Sequence, residues 1–253
     1  MILDPWFLAL AVPAVLTAGI SKAGFGGGLA ILAVPLMALA IPPVQAAAIL
    51  LPILCVMDIM GLAAYRRIAD FRNLMIMIPG ALIGIVVGTF TFEYFNDDLI
   101  RLIIGAIALA FTLQKLFNSA PKHQTPGPSL SRGTFWSALA GFTSFVAHAG
   151  GPPVQFYLLP QRLDKSVYVG TTVWFFLAVN YIKLIPYGFL GQLSSHNLVT
   201  SAALLPLAPL GIWMGLRLHR LVSDRVFYRI AHIFLLIAGT KLVWDGVTGL
   251  LAA

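Results

Sequence analysis

Charged residues are scarce in this sequence. Only 10% of its 253 residues are Asp, Glu, Lys or Arg, whereas 59% are hydrophobic, and the mean hydropathy is +0.91. A soluble globular protein carries roughly 25% charged residues, because polar groups have to cover its surface. The composition therefore excludes a water-soluble enzyme, a nucleic-acid-binding module and a disordered chain, and it predicts an all-α polytopic membrane protein. The net charge of +7 is interpreted as loop charge facing anionic lipid.

Residues for catalysis and metal binding are equally rare. The single cysteine, Cys55, excludes an intrachain disulfide and a thiolate metal cluster. The sequence contains no HExxH, GxSxG or CxxC motif, no pair of carboxylates within an apolar segment and no Walker-type phosphate loop. We therefore expect no enzyme, no cofactor, no metal and no direct use of ATP. An intramembrane enzyme and a membrane scaffold are kept as alternative functions.

Long apolar stretches organise the chain into two halves. Two of these stretches, 5–41 and 133–160, are interrupted in the middle, by residues 22–28 and 148–153. A linker rich in Pro, Gly and Ser, 118–132, separates a first repeat, 1–117, from a second repeat, 133–253. Each repeat is predicted to be a Gly-broken helical hairpin followed by three transmembrane helices. The six full spans, each near the 20 residues that a crossing helix needs, are 44–65, 73–92, 99–117, 166–190, 198–216 and 226–250.

Basic residues predict the orientation, because cytoplasmic loops are enriched in Lys and Arg. Twelve of the sixteen Lys and Arg lie in four places, 65–72, 115–132, 162–165 and 217–229, whereas the loop at 93–98 is acidic. If the four basic places, including the linker, are cytoplasmic, successive full spans cross the membrane in opposite directions. Each broken hairpin then returns to the side from which it entered. Both termini are then periplasmic. Each half makes three crossings, so the halves have opposite orientation.

The two halves also share residues in the same order. Asp58 and Tyr65 are seven positions apart, as are Asn180 and Tyr187, and 23–27 aligns with 147–151. A further set matches at a constant offset of 127: Pro79, Gly84, Ile85, Gly88 and Asp97 with Pro206, Gly211, Ile212, Gly215 and Asp224. Together with the opposite orientation, this predicts two inverted repeats, which are typical of secondary transporters.

The two breaks are the candidate binding site. Irregular backbone at membrane depth is tolerated where it is buried or lines a cavity, and a short helix is expected to start after each break, near Gly28 and near Pro152. Unpaired N–H groups at a helix start attract anions. Close helix packing is the alternative for these glycines, and it is the preferred interpretation for Gly84, Gly88, Gly211 and Gly215, which lie within unbroken spans.

A few polar side chains lie within the apolar segments, where an unpaired charge is costly. Lys22 is expected to contact the anion. Asp58 either carries a coupling proton or pairs with a cation such as Lys22. Asn180 and Lys183 lie one turn apart on the same face of one helix. The inverted repeat places them toward the outer side of the membrane, where they are expected to form a gate or to bind substrate. Alternatively, the Lys183 side chain only extends outward to solvent. His148 either contacts the ligand or bonds to backbone.

These same residues carry a resemblance to the sulfite exporter TauE/SafE family. The similar stretches are 21–28, 58–67, 150–153 with Gln155, Asn180 with Lys183, and 205–211. The resemblance covers essentially the whole chain. It implies a multi-pass transporter of the bacterial inner membrane that exports sulfite or a short organosulfonate. Uptake of the same anions is the alternative within transport.

The expected mechanism is alternating access around a fixed site between the two Gly-rich breaks. Asp58 is the candidate for proton coupling. The expected partners are the small sulfur anion, protons and the lipid bilayer, with no nucleic acid, and homo-oligomerisation is left open. The predicted substrate-binding residues are Lys22, Gly24, Phe25, Gly26, Gly27, Gly28, His148, Gly150, Gly151, Pro152, Asn180 and Lys183.

Overall fold

The computed structural model describes residues 4–24, 30–94, 96–117, 127–221 and 224–252, and these residues form helices without strands. In the first half, a 3-10 turn at Ala30–Leu32 precedes α2 and another at Phe92–Tyr94 follows α4. The helices of this half are α1 (Pro5–Gly24), α2 (Ala33–Met37), α3 (Pro43–Tyr65), α4 (Phe71–Thr91) and α5 (Asp97–Phe117).

The second half repeats this order of a long helix, a short helix and further long helices. A 3-10 turn at Leu159–Gln161 follows its short helix. The helices are α6 (Leu130–Ala147), α7 (Gly151–Leu158), α8 (Lys165–Phe189), α9 (Ser195–Leu204), α10 (Leu207–Leu221) and α11 (Asp224–Ala252). Of the predicted linker 118–132, residues 118–126 lie outside the described residues. α6 begins at Leu130, within the last part of this linker.

Four described helices are long and apolar enough to cross a membrane: α1, α3, α4 and α8 from Ser166. A fifth candidate is the pair α9 and α10, which bends by 45° between Leu204 and Leu207. The span predicted over 198–216 therefore consists of two helices with a bend between them rather than one continuous helix. Pro206 lies in the break, where it has no backbone N–H to continue the helix.

The predicted hairpin break at 148–153 is confirmed. His148 adopts a left-handed conformation with φ 52° at the end of α6. Its N–H donates to the Ser144 carbonyl and the Ala149 N–H to the Thr143 carbonyl, the pattern that terminates many helices. α7 then begins at Gly151 with Pro152 and Pro153 in its first turn, where proline needs no partner for its nitrogen.

The first break also falls where the sequence predicts it, since α1 ends at Gly24. Phe25, Gly26, Gly27 and Gly28 lie outside the described residues, so the helix start expected near Gly28 does too. The two legs of each hairpin are unequal. The first legs, α1 and α6, have 20 and 18 residues, whereas the returning helices α2 and α7 have 5 and 8.

Helix pairs join the two halves. α1 packs against α10, α4 against α6, α5 against α11, and α3 against α8. Glycines allow two of these contacts. A Cβ atom added to Gly84 would lie 1.9 Å from the Ala138 carbonyl oxygen, and one added to Gly215 would lie 2.7 Å from that of Ile20. Gly88 and Gly211 are similarly confined, by Phe145 and by Leu16. The packing interpretation of these four glycines is confirmed.

Candidate functional site

A buried ion pair joins the first hairpin to α3. The Lys22 ammonium at the end of α1 contacts Oδ1 of Asp58. Asn180 on α8 donates from Nδ2 to the other carboxylate oxygen, Oδ2, at 2.6 Å. All three side chains are buried, and a buried carboxylate requires such partners. Of the two interpretations of Asp58 drawn from the sequence, the structure shows the pairing with Lys22.

A second cluster surrounds Lys183 on α8. Its Nζ donates to the carbonyl and to Oγ of Ser144, both at 2.9 Å, and lies 2.7 Å from Nδ1 of His148. Nε2 of His148 lies 2.8 Å from the Ala47 carbonyl oxygen. Because a carbonyl only accepts, Nε2 carries the proton, and Nδ1 is left to accept from Lys183.

Lys183 does not extend to solvent, because its exposed fraction is 0%. Within the part of the chain that the structure describes, its three hydrogen-bond partners are all uncharged and it forms no ion pair. The two clusters together therefore contain two lysines and one carboxylate.

One cavity lies between the two clusters. Its described lining combines Lys22 and Ala30, from either side of the first break, with Ser144 and His148 at the second. Leu54 of α3 and Phe176 and Asn180 of α8 complete this lining. The cavity measures about 20 Å³, which is room for about one water molecule. Its lining has to separate before a sulfur oxyanion fits.

Aromatic and small residues shape the cavity wall. The Lys22 ammonium lies 5.8 Å from the centroid of the Phe176 ring, within the range of a cation–π contact. Gly150 lets the second break approach this wall. A Cβ atom added there would lie 3.0 Å from that of Ser144 and 3.2 Å from the Phe176 ring.

Two tyrosines hold the ends of the long hairpin legs in the same way. Tyr65 at the end of α3 donates its hydroxyl to the Ala23 carbonyl at 3.2 Å. Tyr187 near the end of α8 donates to the Phe145 carbonyl at 2.7 Å. Carbonyls in the last turn of a helix lack intrahelical partners, so each tyrosine supplies one. Tyr65 and Tyr187 are the pair that the sequence comparison aligns.

The structure brings Lys22, Asp58, His148, Asn180 and Lys183 together. It corrects the expectation that Asn180 and Lys183 lie toward the opposite side from Asp58, because Asn180 contacts the Asp58 carboxylate directly. Both residues lie just past the middle of their helices, where α3 and α8 pack against each other.

The predicted glycines and proline have a different position from the charged residues. Gly24, at the end of α1, and Gly150, Gly151 and Pro152 are buried but are not among the residues lining the cavity. Phe25, Gly26, Gly27 and Gly28 lie outside the described residues. Sequence reasoning missed Ser144 and Phe176, although Ser144 lies one turn before the predicted His148. Phe176 lies one turn before Asn180 on the same helix face.

Metal ligands do not cluster in the described parts of the chain. No group of three or more His, Cys, Asp or Glu residues lies close enough to hold an ion there.

The protein has several helices that are apolar enough to cross a membrane, and two broken hairpins that bring the buried Lys22 and His148 to one cavity. These features define a multi-pass membrane protein. Residues 11–242 match the family model described as "Sulfite exporter TauE/SafE". The chain therefore belongs to this family, which is one of membrane transporters for sulfite and related sulfur anions. Comparisons with curated proteins and with solved structures gave no match.

Proposed function

We propose that this protein exports a small sulfur-containing anion, sulfite or a short organosulfonate, across the bacterial inner membrane by proton-coupled alternating access. The observation that carries the proposal is the cavity to which both hairpins contribute, with Lys22 and His148 in its lining.

The charge of the site favours an anion. Lys22 and Asp58 compensate each other, whereas Lys183 has only uncharged partners among the described residues. A buried ammonium without a counterion is unfavourable. A sulfite or sulfonate ion in the cavity supplies the missing negative charge, and its oxygens accept hydrogen bonds from Lys22 and Asn180.

The helix breaks supply further donors in this proposal. Backbone N–H groups at 24–28 and at Gly150 and Gly151 approach the anion once the cavity opens, since helix starts stabilise negative charge. Gly150 already lies against Ser144 and Phe176 of the cavity wall.

The proposed alternating access uses two inverted repeats. If the helices of the two halves are matched in chain order, the contact of α1 with α10 corresponds to that of α6 with α4. The two tyrosine bonds correspond as well. In this proposal the halves open in turn around the cavity. The basic loops and the linker face the cytoplasm and both termini face the periplasm.

Flux through sealed proteoliposomes tests the proposal. Labelled sulfite, sulfoacetate and taurine are followed with and without an imposed pH gradient. Saturable flux of sulfite or a sulfonate, driven uphill by the gradient, is expected for the wild type. Absence of flux for all three by folded protein in intact vesicles would overturn the substrate assignment. Loss of labelled anion from preloaded cells then separates export from the alternative, uptake.

A further inference from the structure

We propose that Lys183 and His148 carry the coupling proton, so that one proton crosses with each anion in the same direction. This inference rests on the proposed transport function. It assigns the proton to a pair of residues other than Asp58, the candidate that the sequence suggests.

Lys183 is the basic group whose charge depends on the anion. Its exposed fraction is 0%, and it is held by Ser144 and by Nδ1 of His148, which are uncharged. With the cavity empty, burial favours the neutral amine, because an ammonium needs a counterion in a low-dielectric interior. An anion in the cavity provides that counterion and favours the ammonium.

The other ionisable groups around Lys183 do not replace the anion. Asp58 is the nearby carboxylate, and its two oxygens are occupied by Lys22 and Asn180. Lys22 adds positive charge, which opposes a second ammonium, and Cys55 faces the cluster from α3 as a buried thiol. The Tyr187 hydroxyl, one turn along α8, donates to the Phe145 carbonyl. Residues 25–29 contain no titratable side chain.

His148 connects Lys183 to the cavity. His148 and Ser144 line the cavity and also contact the Lys183 ammonium. Because Nε2 donates to Ala47, a proton arriving on His148 is taken up at Nδ1. The resulting imidazolium faces the neutral amine at 2.7 Å. Transfer of the Nδ1 proton leaves a neutral His148 and a Lys183 ammonium.

Proton and anion then stabilise each other, and this coupling is reciprocal. An exporter of this kind carries one proton out of the cell with each anion. The outward concentration gradient of the anion drives this movement. In vesicles, an inwardly directed proton gradient drives uptake of the anion. This is cotransport, and it predicts no exchange of an outgoing anion for an incoming proton.

Lys183→Arg tests the assignment, because arginine stays charged at every accessible pH. In proteoliposomes, the accumulation driven by a pH gradient is expected to fall at least ~tenfold further than anion–anion exchange does, because only the accumulation requires Lys183 to lose its proton. Lys241→Arg is the matched control, since Lys241 is exposed and pairs with Asp245. It is expected to retain both activities.

A second measurement does not depend on the arginine fitting. Purified wild-type protein in weakly buffered detergent solution is titrated with sulfoacetate, which stays ionised near neutral pH, while proton uptake is followed. About one proton per bound anion is expected from the linkage, and none for Lys183→Met at saturating anion. Gradient-driven accumulation by Lys183→Arg at the wild-type level would overturn the inference, as would anion binding to the wild type without proton uptake. Neither result removes the proposed function, which fails when the wild type neither binds nor moves any of the anions.

Discussion

Asp58 and Asn180 face each other where α3 packs on α8, with Asn180 Nδ2 2.6 Å from Asp58 Oδ2. The sequence comparison of the two halves aligns these residues, yet one is charged and the other is not. The charged one holds Lys22. The first half therefore contributes a carboxylate to this buried cluster, and the second half contributes an uncharged amide.

Asp58→Asn is expected to destabilise the protein by about 3–5 kcal/mol, because it leaves the buried Lys22 without its counterion. Unfolding by denaturant in detergent solution measures the change. Asp245→Asn is the control. It also breaks a lysine–aspartate pair, but the Lys241 side chain is 57% exposed, so less than about 1 kcal/mol is expected.

A double variant separates the lost pair from a general disturbance of the site. Lys22→Met combined with Asp58→Asn removes both charges, so we expect it to recover most of the stability lost in Asp58→Asn alone. If the double variant is as unstable as the sum of the two single ones, the ion pair is not the cause.

Lys22→Gln is expected to weaken anion binding by about tenfold to a hundredfold, because it removes one charge-assisted hydrogen bond of roughly 1.5–3 kcal/mol. Equilibrium binding of labelled anion to purified protein measures the effect. Lys241→Gln, which removes an exposed lysine, serves as control. Equal affinities of the Lys22 variant and wild type for every anion would remove Lys22 from the binding site.

The tyrosine pair offers an internally matched comparison. Tyr187→Phe leaves the Phe145 carbonyl without its 2.7 Å partner in a buried setting, and about 1–3 kcal/mol of stability is expected to be lost. Tyr65→Phe removes a longer bond of 3.2 Å from a half-buried side chain, so the loss is expected to be smaller. The same unfolding assay compares them, and a larger loss for Tyr65→Phe contradicts the proposed ranking.

Much of this site follows from residue type and position. Gly150, Pro152 and Pro153 at the second break start α7. The rare buried polar residues meet because an apolar interior forces them to find partners; they are Lys22, Asp58, Asn180, Lys183 and His148. Their partners are less predictable. Ser144 and the Ala47 carbonyl bond to Lys183 and His148 across the fold, and no local pattern encodes such contacts.

The bend between α9 and α10 shows another limit of the sequence. Pro206 lies in that bend, but the sequence has prolines that do not break a helix. Pro13, Pro52, Pro79 and Pro186 all lie inside continuous helices, where neighbouring helices compensate for the missing hydrogen bond. Proline alone therefore does not mark the break.

Gly84→Ala is expected to destabilise the protein by about 1–3 kcal/mol or more, because the added methyl would overlap the backbone of Ala138 between α4 and α6. Gly188→Ala, on α8, is the control, since nothing lies within 4 Å of a Cβ atom added there. It is expected to be neutral or slightly stabilising. Comparable losses for the two variants would show that the helix contact does not limit stability at Gly84.

Side-specific labelling tests the opposite orientation of the halves. Arg67 after α3 and Ser195 at the start of α9 are exposed and lie in corresponding loops of the two halves. Inverted repeats place these loops on opposite faces of the membrane. The single native cysteine, Cys55, is buried, so we expect the maleimide to label the unmodified protein only weakly. In intact spheroplasts, a membrane-impermeant maleimide is expected to label Ser195→Cys and to spare Arg67→Cys until the membrane is permeabilised. Labelling of both from the same side would rule out the inverted arrangement, because an odd number of crossings separates the two loops only if the halves are inverted.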